Sequence, residues 1–227
     1  MNKNQEAISV RLLTADLTDW VLKDFINQYK TTLKEVVVLP SAIRRAKILA
    51  QGSSLQIGAV IDYPLAQGTL AKVAFEIGRA FMEGADFLEV WLPASSFMEN
   101  DRGFAELTET IRSLTLTGGE IRLAVQTEIM NELTKIQVAQ RLKEEAWPKI
   151  VLGQKQPLAE ALHDVSLFSL DGGSQLSIQI NPDTVDEQAL QSLQAAGAEK
   201  IISGNIASVE FILRPRKFTL SKISPSV

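Results

Sequence analysis

The stretch Lys34-Glu35-Val36-Val37-Val38-Leu39-Pro40-Ser41-Ala42-Ile43-Arg44-Arg45-Ala46-Lys47-Ile48-Leu49-Ala50 decides the fold. Residues 34–39 are short, β-branched and almost continuously apolar, which suits a parallel strand covered on both faces. Pro40 ends the run, Ser41 offers a capping hydroxyl, and residues 41–50 read as a helix. The same strand-then-helix unit recurs along the whole chain. Before it come a strand at 7–14 and a helix at 18–29. After it the strands are expected at 55–61, 87–92, 120–126, 149–153, 175–180 and 200–203. The helices that follow them are expected at 69–82, 103–115, 131–146, 157–169, 184–196 and 207–213. Helix spacing is clearest at Leu133, Ile136, Val138 and Leu142, and Thr69, Asn131 and Thr184 stand at helix entries. Gly84, Gly118 and Gly197 follow helices where a left-handed closing residue is wanted. About eight β-α units with no long linker predict one α/β domain over residues 1–227, a closed (β/α)8 TIM barrel, with an open doubly wound sheet as the alternative. A loosely held tail is expected from about residue 214, where Pro215 and Pro225 fall.

Composition narrows the function. The net charge of −4 argues against nucleic acid, whose phosphates need a cationic surface. No apolar run approaches a membrane span, and Met1 to Gln5 lack an apolar signal core. With no cysteine, the chain reads as a cytoplasmic enzyme or binding protein without disulfides or thiolate chemistry. His163 is the single histidine, so a multi-histidine metal site is excluded, and neither a metal nor a cofactor is expected.

Active sites of such barrels lie at the carboxyl ends of the strands. Charged residues inside strands carry more information than loop polar residues there. Glu89 lies within Phe87-Leu88-Glu89-Val90-Trp91-Leu92, and Arg122 within Ile121-Arg122-Leu123-Ala124-Val125. Side chains alternate along a strand and the helix-facing side must be apolar, so both should point into the barrel. A buried carboxylate needs a partner, and these strands are neighbours, so Glu89 and Arg122 are expected to interact, directly or through one water.

Several segments resemble the deoxyribose-phosphate aldolase family. They are Glu35-Val36-Val37-Val38-Leu39-Pro40, Ile57-Gly58-Ala59-Val60-Ile61-Asp62-Tyr63-Pro64-Leu65, Thr69-Leu70-Ala71-Lys72 and Gly84-Ala85-Asp86-Phe87-Leu88-Glu89-Val90 with Pro93. Asp16-Leu17-Thr18 is similar to the aspartate motif after the family's first strand, and residues 121–127 to its fifth strand. The resemblance implies a class I aldolase. A lysine on the sixth strand forms a Schiff base, a second lysine on the seventh strand lowers its pKa, and a fourth-strand aspartate moves protons. It therefore makes Glu89, in place of that aspartate, and Asp16 catalytic. Aligned on Gly153, it makes Lys149 the nucleophile. Aligned on the start of the strand, it puts Val151 or Leu152 there and Lys149 at the bottom of the barrel. Pro148 fits better before a strand than within it, which favours the second alignment.

Gln179 stands where the resemblance implies the second lysine. Asn181-Pro182-Asp183 replaces the family's phosphate-binding glycines, and Ser203-Gly204-Asn205 keeps part of its last phosphate loop. Arg122, Lys155, Gln179, Ser203 and Gly204 are then the expected substrate contacts. The partners implied are a small-molecule substrate, phosphorylated in the family, and a second copy of the chain in a homodimer. Two readings stand: a divergent Schiff-base aldolase, or an aldolase-like barrel that binds without catalysis. A lyase or isomerase using Glu89 alone as base is a third.

Overall fold

The computed structural model of the protein describes residues 6–98, 101–115 and 119–213. The polar start, Gly118 and the expected tail lie outside the described residues. Eight parallel strands close into one barrel in chain order: β1 (Ile8–Leu12), β2 (Glu35–Val38), β3 (Gln56–Ile61), β4 (Phe87–Leu92), β5 (Glu120–Val125), β6 (Lys149–Gln156), β7 (Ser177–Pro182) and β8 (Ala198–Ser203). The helices between them are α1 (Asp19–Tyr29), α2 (Ile43–Ala50), α3 (Leu70–Met82), α4 (Asp101–Thr115), α5 (Glu132–Glu144), α6 (Leu158–Asp171), α7 (Glu187–Ala196) and α8 (Ile206–Leu213). A short helix, Ser95–Met98, precedes α4. No helix among the described residues is long and apolar enough to cross a membrane.

Local chemistry sets the helix ends. Thr18, Thr69 and Asn131 each accept a backbone N–H of the first turn. The expected cap at Thr184 is supplied two residues later by Asp186, which accepts from Ala189 N at 2.7 Å. Gly84 and Gly197 take left-handed φ of 99° and 118° after α3 and α7.

Strand alternation divides the core into two clusters. Ile8, Val10, Val36, Val38, Leu88, Val90, Leu123, Val125, Ile150 and Leu152 face the helices. Val37, Val60, Phe87, Trp91, Ala124, Val151 and Ile202 fill the barrel. The parity that sends Phe87 and Trp91 inward sends Glu89 inward as well, and Arg122 shares a face with Ala124. Both side chains are buried, and their residues are register partners across β4 and β5. Gly58 has its place for a packing reason: a Cβ there would lie 2.2 Å from the Phe87 ring.

Glu89 and Arg122 form no direct ion pair, and each has another partner. Arg122 extends toward the N-terminal end of the barrel and grips Glu35 through Nη1 at 2.8 Å and Nη2 at 3.1 Å. Its Nε reaches Glu120 at 2.6 Å, and its Cζ lies 3.6 Å from the Phe87 ring centroid. Lys200 adds a second cation to Glu35, and Lys149 a second to Glu120 at 2.5 Å. Glu35, Glu120 and Lys149 each begin their strands. This ionic layer therefore closes the lower half of the barrel and leaves Glu89 to find another partner.

Candidate active site at the C-terminal mouth

That partner is Arg11, inward-facing on β1, whose Nη2 and Nε donate to Glu89 Oε2 at 2.6 and 3.1 Å. Both side chains are almost wholly buried. With its amide oriented to satisfy both neighbours, Asn181 accepts from Arg11 Nη1 at 2.9 Å and donates to the Ile202 carbonyl at 3.2 Å. Trp91 stands 5.3 Å from the Arg11 guanidinium and packs edge-on against Tyr63. Glu89 Oε1 and Trp91 Nε1 have no protein partner although both atoms are buried. Of the Glu89 carboxylate, then, only Oε2 is engaged by the protein.

Above the pair opens a cavity of about 350 Å³, lined by Arg11, Leu12, Leu13, Thr14, Tyr63, Gln154, Lys155, Asn181 and Gly204. The size lies at the small end of ligand sites. Lys155 reaches it through an irregularity in β6. The strand was expected to stop at Gly153 but runs to Gln156, with its register to β7 shifted between Leu152 and Gln156. Gly153 and Lys155 both have left-handed φ, 68° and 51°. A bulge of this kind re-aims a side chain, and a non-glycine residue in that conformation persists only where its surroundings hold it. Here the support is Gln156. It is buried, and its Nε2 donates to Thr127 Oγ1 and Asp164 Oδ2, each at 2.7 Å. Asp164 is in turn held by Lys135 at 2.6 Å. Gln154 spans the mouth to the Pro64 carbonyl at 3.2 Å.

The geometry corrects several assignments. Lys149, the nucleophile under the Gly153 alignment, is the first residue of β6 and is tied to Glu120 at the opposite end of the barrel. Val151 faces inward from β6, level with Gln179 on β7. Arg122 and Gln179 do not line the cavity, because Arg122 Nη1 donates to Gln179 Oε1 at 3.1 Å within the lower network. Asp16 is exposed after β1 and accepts from the Thr14 hydroxyl. That bond, with the backbone N–H, lowers its pKa. Asp16 thus touches the site only through Thr14. Ser203 is buried and bonded within its own turn, while Gly204 and Lys155 line the cavity.

Arg11 and Glu35 were not anticipated. Both carry the signal that singled out Glu89, a charge within an apolar strand run: Ile8-Ser9-Val10-Arg11-Leu12 and Glu35-Val36-Val37-Val38.

No family model matches the chain. Among curated proteins it is similar to deoxyribose-phosphate aldolases. That of Staphylococcus epidermidis is 25% identical over 217 residues, covering 93% of this chain and 96% of that one. The chain resembles the deoxyribose-phosphate aldolases. That of Dictyoglomus turgidum is 23% identical over 179 residues, 77% of this chain and 80% of its own. Among solved structures, the aldolase QR15 superposes with a TM-score of 0.80 at 17% identity, covering 94% of this chain and 95% of that one. The deoxyribose phosphate aldolase of Aeropyrum pernix, described as a unique tetramer, gives 0.79 at 15% identity over 92% and 89%. The structural likeness is one of fold, and it agrees with the aldolase resemblance of the sequence.

Proposed function

We propose that the chain is an aldolase-like lyase acting on a small carbonyl compound at the C-terminal mouth. In this reading Lys155 is the amine that meets the carbonyl, and Glu89 is the carboxylate that moves protons. The observation that carries it is the β6 bulge, which turns Lys155 onto a cavity lined by Arg11, the partner of Glu89. The free amine adds to the carbonyl carbon, and with one proton taken from solvent the oxygen leaves as water, giving a protonated imine. The neighbouring carbon–carbon bond then breaks with its electron pair moving into the imine. The proton leaves the hydroxyl of the departing fragment for Glu89, whose Oε1 has no protein partner. Arg11 fixes the carboxylate through Oε2, and Asp16 orients Thr14.

A second reading, binding without turnover, is favoured by Val151 and Gln179, which stand where the resemblance implies the two lysines. Borohydride reduction with acetaldehyde, followed by peptide mass spectrometry, separates the two. A reduced adduct on Lys155 supports the lyase. An adduct on Lys149 contradicts the placement of the site. No adduct on any lysine supports binding alone.

A further inference from the structure

Two places in such a mouth would ordinarily supply the backbone N–H donors that a phosphate needs, the turns after β7 and β8. In this chain several of those donors are already engaged. After β7, Pro182 has no N–H, and the N–H of Asp183 donates to the Gln156 carbonyl at 2.6 Å. Asp183 also places a carboxylate there. After β8, the Asn205 N–H donates to Ser203 Oγ at 3.0 Å. The first turn of α8 is capped from within, since Ala207 N and Ser208 N donate to Asn205 Oδ1 at 3.1 and 3.4 Å. A dianion would have to compete with these bonds for most of its donors.

The cations of the cavity are arranged differently. Of the five guanidinium N–H groups of Arg11, Glu89 takes two and Asn181 one. Two remain on a side chain that lines the cavity. Two parallel N–H groups match the two oxygens of a carboxylate. Lys155 lines the same cavity from the other side of the mouth. With Arg11 offset by Glu89, the cavity has room for one negative charge rather than two.

We propose that the ligand is a short-chain oxo acid: Arg11 holds its carboxylate, Lys155 meets its carbonyl, and a phosphate ester is not accepted. The inference rests on the reading of the mouth as an aldolase-like site and names the substrate class of that site.

The test uses the whole chain, with pyruvate, acetaldehyde and glyceraldehyde 3-phosphate as probes, each titrated calorimetrically and each trapped with borohydride. Pyruvate is expected to bind about tenfold or more tighter than either of the others. Arg11→Lys keeps a cation beside Glu89 but loses the paired N–H geometry, and should erase that preference. Asn181→Asp is the second variant. It leaves the Arg11–Glu89 pair in place and sets a competing carboxylate on Arg11, so it should weaken pyruvate by about tenfold. Glyceraldehyde 3-phosphate binding as well as pyruvate, pyruvate failing to bind, or a preference that survives both variants would overturn the proposal. The two readings fail separately. Trapping by acetaldehyde without a preference for pyruvate removes the oxo acid and keeps the lyase. Pyruvate binding lost in both variants, with no adduct on Lys155, removes the amine role and keeps the carboxylate site.

Discussion

Arg11 Nη2 meets Glu89 Oε2 at 2.6 Å across the barrel interior, and neither side chain is more than a few per cent exposed. The contact joins β1 to β4, which are not hydrogen-bonded to each other. Breaking a buried pair from one side leaves a charge that water cannot reach. Arg11→Met should therefore cost about 3–5 kcal/mol in urea unfolding, whereas replacing the pair by Arg11→Met with Glu89→Leu should recover most of it. A single variant within about 1 kcal/mol of the parent would show that the pair contributes little to folding.

Glu35 makes the lower half of the barrel acid-sensitive. Burial pushes its carboxyl up, but the hydrogen bonds and charge of Arg122, then those of Lys200, outweigh burial and hold it at about 2, below the ordinary 4.5. Ionised Glu35 therefore favours the folded chain above pH 4.5, and this contribution is lost as pH falls from 4.5 toward about 2. At about 1.4 kcal/mol per pKa unit, it is on the order of 3 kcal/mol. Glu35→Gln should be less stable at neutral pH and should flatten the acid limb of the stability profile. An unchanged slope would assign the acid limb to other carboxylates.

The two lysines of β6 should separate cleanly. Lys149 and Glu120 are both partly exposed, and Glu120 keeps Arg122 as a partner. Lys149→Met should cost no more than about 1 kcal/mol and leave pyruvate binding as it was. Lys155→Met should hardly move the melting temperature, yet abolish the borohydride adduct. Loss of the adduct in Lys149→Met instead would place the chemistry at the wrong end of this barrel.

The barrel could be read from the sequence because the strands are short, mostly apolar runs and a helix follows each within a few residues, so the unit at 35–50 repeats. Strand parity also fixed which charges point inward. It could not fix which way a long side chain leans along the barrel axis. Glu89 and Arg122 are register partners, but Arg122 leans toward Glu35 and Glu89 meets Arg11. Arg11 obeys the same parity rule and was passed over because the pairing was sought only between adjacent strands. The bulge was hidden for another reason. Gly153 reads as a strand end, whereas in the fold it is the left-handed residue that lets β6 continue and deliver Lys155.

That bulge gives the sharpest mutational test. Gly153 has φ of 68°, and a Cβ built on it would lie 2.4 Å from the Gln156 side chain. A flexible glutamine would ordinarily move aside. This one is buried and bonded through its amide to Thr127 and Asp164, so yielding means breaking two hydrogen bonds. Gly153→Ala should destabilise the chain by about 2–4 kcal/mol, combining the left-handed penalty with overpacking. It should also weaken pyruvate binding, because Lys155 would no longer be carried over the mouth. Gly52→Ala is the matched control: its φ is 77°, but nothing lies within 4 Å of the added Cβ. It should cost only the backbone penalty of about 1–2 kcal/mol and leave binding untouched. If Gly153→Ala bound pyruvate and trapped acetaldehyde like the parent chain, the bulge would be a packing irregularity and Lys155 would not depend on it.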